Sequence, residues 1–136
     1  MKTLSKAASA VLNALTANLE VGASRHVGEK GGCFMQVVVE RHTDQQFSVS
    51  HYYEQNGDLV PDPDMEFYRF ETGAWAPVSI TQQFGFQRAI EMGDDGQPAR
   101  FNPRVVRELC GFASMWMRNI KEQQGGLRTL KMAAAA

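Results

Sequence analysis

The stretch His51-Tyr52-Tyr53-Glu54-Gln55-Asn56-Gly57-Asp58-Leu59-Val60-Pro61-Asp62-Pro63-Asp64-Met65-Glu66-Phe67 decides the fold. Phe47, Val49, His51 and Tyr53 alternate with Gln46, Ser48, Ser50 and Tyr52, the period of two that marks a half-buried strand. Asn56-Gly57 supplies two residues that tolerate positive φ, the chemistry of a tight hairpin turn. Pro61 and Pro63 each lack an N–H and restrain the residue before them, so 58–63 reads as a short, stiff, exposed connector. Met65, Phe67 and Arg69 then alternate with Glu66, Tyr68 and Phe70, and the strand pattern returns.

Working outward, strands are predicted at 33–41, 46–53, 65–71, 74–80 and 86–92. Short turns at His42-Thr43-Asp44, Asn56-Gly57, Thr72-Gly73 and Phe84-Gly85 separate them, which argues for an antiparallel meander of four to five strands. Asp94-Asp95-Gly96-Gln97-Pro98 is expected to end the sheet region. Ahead of the sheet, Leu4, Ala8, Val11, Leu15 and Leu19 recur at helical spacing, so 3–20 is predicted as an amphipathic helix with Thr3 as N-cap. Residues 22–32, rich in glycine, read as a loop.

Behind the sheet, Asn102-Pro103 opens a long helix that runs to about Gln124 and stops at Gly125-Gly126. At 100° per residue, Val105, Leu109, Phe112, Ala113, Trp116, Met117 and Ile120 share one side. That stripe must cover the sheet. The predicted class is α+β: an N-terminal helix, the meander, and a long C-terminal helix packed on one sheet face. Residues 1–126 form a single domain in this reading, and 127–136 a frayed or disordered tail.

The chain has 136 residues, 43% hydrophobic and 21% charged, the balance of a soluble globular domain. No run of about 18 apolar residues is present to span a membrane. Cys33 and Cys110 read as two buried thiols, which fits a cytoplasmic location. The net charge of −1 conceals a polarity. Residues 51–96 carry two Lys/Arg against nine Asp/Glu, and residues 97–136 carry seven against two. The acids fall in the turns of the meander and the bases on the outer face of the last helix, which suggests partner surfaces of opposite sign.

Specific chemistries find little support. Glu54, Asp58, Asp62 and Asp64 could offer oxygen ligands, but their spacing matches no calcium loop, so no metal is expected. The histidines and cysteines lack zinc spacing. His51 shares its face with Phe47, Val49 and Tyr53 and reads as a packed core residue. Cys110 flanks the apolar stripe and reads as core. Gly28, Gly31 and Gly32 match no phosphate-binding motif, and no cofactor is expected.

The segment His51-Tyr52-Tyr53-Glu54-Gln55-Asn56-Gly57-Asp58, followed by Pro61-Asp62-Pro63-Asp64-Met65-Glu66-Phe67 and Trp75-Ala76-Pro77, resembles an uncharacterised family of small proteins. Members of that family are typically encoded on bacterial plasmids, integrative elements and phages. The resemblance covers roughly residues 34–80 and implies a bacterial cytoplasmic accessory protein.

The expected function is a non-catalytic protein-interaction role, with a host or element protein as partner, including defence or anti-defence components. Glu54, Asp58, Asp62 and Asp64 on one side, and Arg104, Arg107, Arg118 and Lys121 on the other, are the candidate partner-binding residues. The alternatives are nucleic-acid binding through the basic helix and a small enzyme using His51 with nearby carboxylates.

Overall fold

A computed structural model describes residues 1–135. The elements in chain order are α1 (Lys6–Thr16), β1 (Ser24–Val27), β2 (Val37–Arg41), β3 (Gln46–Gln55), β4 (Asp58–Arg69), β5 (Trp75–Gln82), β6 (Gly85–Arg88), β7 (Ile90–Met92), β8 (Pro98–Phe101), α2 (Pro103–Gln123) and α3 (Leu127–Ala135). Strands β1 to β6 form one antiparallel sheet in sequence order, and β7 and β8 form a separate two-stranded ribbon.

The α+β meander is as expected, but the strand count exceeds four to five. Ser24-Arg25-His26-Val27, expected within the glycine-rich loop, adds β1 by pairing Val27 with Val37 and Ser24 with Glu40. The run 86–92 divides at Ala89, whose N–H donates to the Val78 carbonyl instead of continuing β6. Asp94–Gly96 turns the β7–β8 ribbon and does not end the β structure.

The prolines of 58–63 lie inside β4, not in a connector. The reason is positional. β5 pairs with β4 only from Asp64 onward, so the far half of β4 has β3 as its sole neighbour. A proline there withholds an N–H from solvent and not from a ladder. The register also shifts between Ser50 and Tyr52, so that Asp62 and Pro63 fall in a bulge. Asn56 (φ 54°) and Gly57 (φ 85°) make the turn at the tip, as the dipeptide predicts.

Helix α1 is shorter than 3–20 because Ser5, not Thr3, caps it: the Ala8 N–H donates to Ser5 Oγ. Asn102 Oδ1 accepts from the Arg104 and Val105 N–H groups, which starts α2 with Pro103 in its first turn. The expected disordered tail is instead helix α3 through Ala135; residue 136 lies outside the described residues. Gly125 and Gly126, both at positive φ, reverse the chain, and Leu130 and Ala134 are buried on the inner side of the new helix, which packs on α1.

A single core runs from Leu4 to Leu130. It is built from one face of the sheet (Val37, Val39, Phe47, Val49, Met65, Phe67) and the inner faces of the helices (Leu12, Leu15, Leu109, Ala113, Trp116, Ile120). Phe112, expected on the buried stripe, is only half-buried, while Val106 and Cys110 are buried beside it. Trp75 Nε1 donates to Asn13 Oδ1, tying sheet to α1, and the His51 ring meets the Trp116 ring edge-on at 5.4 Å, facing sheet to α2.

Candidate functional site

The helices occupy one face of the sheet, and the other face is exposed over much of its area. Period-two alternation places two complete cross-strand rows on that second face. One row is His26, Val38, Ser50, Asp64, Thr81 and Phe86; the next is Ser24, Glu40, Ser48, Glu66, Ser79 and Arg88. Strand β3 contributes only serines to these rows, and both lie buried between longer neighbours. They form the floor of a trough between Glu40 on β2 and Asp64 and Glu66 on β4, and at 6% and 3% exposure that floor is covered by the neighbouring side chains. With strands about 4.8 Å apart, the two walls stand roughly 10 Å from each other.

Among the described residues the trough carboxylates are not in ion pairs, although Arg88 lies in one of the rows and His42 borders the other side. The salt bridges among the described residues are Arg41–Asp44, Arg100–Glu91 and Arg104–Glu108, so Glu40, Asp64 and Glu66 have no ionic partner there. Ser79 donates a long 3.4 Å hydrogen bond to Glu66, and His42 Nε2 lies 3.0 Å from Ser48 Oγ. Asp64 Oδ1 is buried with no hydrogen-bond partner. Burial raises the Asp64 pKa above the usual carboxylate value; the Ser50 hydroxyl opposes this, Glu66 and Glu40 add to it, and His42 opposes it.

The trough opens at one end of the sheet. In an antiparallel meander, the β1–β2, β3–β4 and β5–β6 connections all fall at the same end, and here each is a finger. The middle finger is longest. Beyond Ser50, β3 has no β2 partner, so the hairpin from Tyr52 to its tip projects by about 13 Å, at 3.3 Å per residue. The fingers carry Phe34 and Met35, Leu59 (70% exposed), and Phe84 (93% exposed) with Phe86. A groove of about 730 Å³ lies between the first two fingers, lined by Phe34, Met35, Val38, Glu40, Tyr52 and Leu59 among others. A second, of about 460 Å³, lies between Asp62 on β4 and the third finger.

The four candidate acids do not meet at one point. Glu54 and Asp58 are exposed near the tip of the middle finger, Asp62 lines the second groove, and Asp64 lies in the trough, six residues and about 20 Å along β4 from Asp58. No three His, Cys, Asp or Glu side chains among the described residues are grouped to hold a metal ion. Arg104, Arg107 and Arg118 are exposed on the outer face of α2, and Lys121 is half-buried in its last turn. Arg104 spends its charge on Glu108 at 2.9 Å.

His51 points into the core, 7% exposed, with Nε2 lacking any partner, and burial lowers its pKa. It is on the face opposite the trough carboxylates. Cys110 is buried as expected, but Cys33 is exposed in the first finger, because the strand expected to start there begins at Val37. Neither the apolar fingertips nor the serine trough follows from the sequence patterns above. The available signal is the parity of the meander: alternate turns share an end, and Phe34, Leu59 and Phe84 sit at or beside alternate turns.

Fold and site together define an α+β domain with a helix-backed antiparallel sheet, an acidic trough on its open face, and apolar fingers at one end. No helix among the described residues is long and apolar enough to cross a membrane. The chain belongs to the family described as Domain of unknown function (DUF6908), whose model matches residues 6–126 and so stops just short of α3. Neither the curated proteins nor the solved structures gave a match.

Proposed function

We propose that this domain is a protein-interaction module that performs no chemistry of its own and docks its partner on the finger end of the sheet. One observation carries the reading: Phe34, Met35, Leu59, Phe84 and Phe86 lie in or beside three separate connections, yet the topology gathers them at one end and leaves all five exposed. Scattered exposed apolar residues need no explanation, but a grouped set rimmed by charge marks an interaction surface. Glu54, Asp58 and Asp62 supply that rim. The resemblance to proteins of bacterial plasmids, integrative elements and phages supports a partner from the bacterial cytoplasm or from the element, defence components included. The basic face of α2, which would favour nucleic acid, rests on charge alone.

The test is affinity capture from the native host with the parent chain and with a Leu59→Ser/Phe84→Ser variant. Both side chains are at fingertips, so the variant should fold as the parent does by circular dichroism. A partner enriched by the parent should be lost with the variant. A partner kept by that variant but lost on Arg107→Glu/Arg118→Glu would move the interface to α2 and overturn the reading.

A further inference from the structure

We propose that the outer face of α2 pairs, antiparallel, with the same face of a second copy of this chain, making a two-fold symmetric dimer. Met115 of each protomer lodges over Gly111 of the other, flanked by Arg104–Glu122 and Glu108–Arg118 ion pairs between protomers. The inference goes beyond the finger-end reading and concerns a different surface.

Three observations carry it. The first is alignment. Arg104, Glu108, Gly111, Met115, Arg118 and Glu122 recur at alternating intervals of four and three. At 100° per residue they fall within about 80° of one another, on the side of α2 away from the core. All six are exposed, Met115 at 48%. The second is the glycine. Gly111 sits in the middle of a 21-residue helix, where glycine is less favourable than alanine. A Cβ there would meet nothing within 4 Å, so packing inside the protomer does not require glycine. Bare backbone on an exposed face lets a second helix approach closely, and an exposed methionine one turn away supplies the adaptable side chain that fills the notch. The third is charge. In an antiparallel pair centred between Gly111 and Met115, Gly111 faces Met115, Arg104 faces Glu122 and Glu108 faces Arg118, each contact occurring twice. Arg118 and Glu122 are one turn apart, yet neither is in a salt bridge among the described residues. Arg104 and Glu108 do pair, at 2.9 Å, and the second copy's Glu122 and Arg118 extend that pair into a ladder of alternating sign. Shifting the register by one turn sets Arg104 against Arg118 or Glu108 against Glu122, and a parallel pair sets each charge against itself. Like charges therefore oppose the alternatives. Gln124, near the end of α2, lies against Gly28 at the base of the first finger, so the antiparallel pair points the two finger ends apart and leaves both open.

The test is sedimentation velocity on the full chain over a range of concentrations. The parent should pass from monomer to dimer mass as concentration rises. One pair of helices is a small interface, so association should fall in the micromolar range and weaken with salt. Glu108→Arg/Glu122→Arg and Arg104→Glu/Arg118→Glu should each be monomeric alone. An equimolar mixture of the two should dimerise, because every facing pair is then opposite in sign. Met115→Ser should weaken the parent dimer about tenfold, the scale of withdrawing a half-exposed methionine from contact. Leu59→Ser/Phe84→Ser should dimerise as the parent does. Every substituted side chain is exposed, so circular dichroism should show all variants folded. A parent that stays monomeric at the highest attainable concentration, a dimer that persists in either charge variant alone, or a mixture that stays monomeric would each overturn the proposal. So would a dimer indifferent to Met115→Ser or lost in the Leu59/Phe84 variant.

Discussion

Replacing Asp64 by asparagine should make the protein more stable. Asparagine keeps the size and one acceptor oxygen of aspartate but removes the charge. In the folded chain that charge sits half-buried, with Oδ1 unpaired and Glu66 and Glu40 nearby, and its pKa is raised by burial first and by those carboxylates second. A carboxylate whose folded pKa exceeds its unfolded value binds its proton more tightly in the native state. Its contribution to stability is therefore fully present below the unfolded value of 3.8 and is lost as pH rises through the folded value. At neutral pH Asp64 is a net cost. Relieving a like-charge repulsion at a partly exposed, solvent-screened site is worth about 1 kcal/mol or less. In a domain of this size that raises the melting temperature by roughly 3 °C. Urea unfolding followed by circular dichroism at pH 7 and at pH 4.5 measures both the gain and its dependence on protonation. The parent should gain on the variant as pH falls, because protonated Asp64 and asparagine are electrically alike. An Asp64→Asn protein less stable than the parent at pH 7, or a difference that does not change with pH, would refute the reasoning.

Trp116→Ala should cost about 3–5 kcal/mol, the range for a large buried aromatic, and lower the melting temperature by roughly 10 °C or more. Trp116→Phe should cost far less, since it deletes an indole N–H that has no partner. His51, whose pKa burial lowers from 6.5, should make the fold less stable as pH drops below that value, because the unfolded chain then binds the extra proton; His51→Gln should flatten this part of the profile. Gly57→Val should cost about 1–2 kcal/mol through the positive φ alone, since no atom lies within 4 Å of the added Cβ, and amide exchange should show the loss confined to the middle finger.

What can be read in the sequence is what local chemistry dictates. The Asn56-Gly57 turn, the Asn102-Pro103 helix start and the Trp116 stripe depend on neighbours within a few residues, and all three appear where the pattern puts them. What cannot be read depends on which strand ends where. Pro61 and Pro63 argue against a strand only if both edges of β4 are paired, and the length of β5 decides that. The tail forms α3 because α1 offers Leu130 and Ala134 a surface, which no periodicity in a short segment ending in alanines reveals. Proximity in sequence groups Asp64 with Glu54, Asp58 and Asp62. The register separates it from them: Asp64, two residues along β4 from Glu66, pairs with Ser50 and lies on the same face as Glu40 across β3.

The departures from local rules are concentrated at one end of the molecule. Around Phe47, Val49, Phe67 and Trp75 the sheet is dry, paired and aromatic, with ring contacts at 5.1 Å and 6.4 Å. Toward the fingers, β3 loses its β2 partner, β4 takes up two prolines, phenylalanines face solvent, and a buried carboxylate oxygen goes unpaired. Each feature costs stability, and none helps hold the core together. A sequence selected for folding alone would be expected to remove them, because marginal domains have only a few kcal/mol to lose. Local rules are broken most often where function opposes stability. The finger end is where those breaches gather, and a partner that covers the phenylalanines would relieve the exposure of their apolar surface.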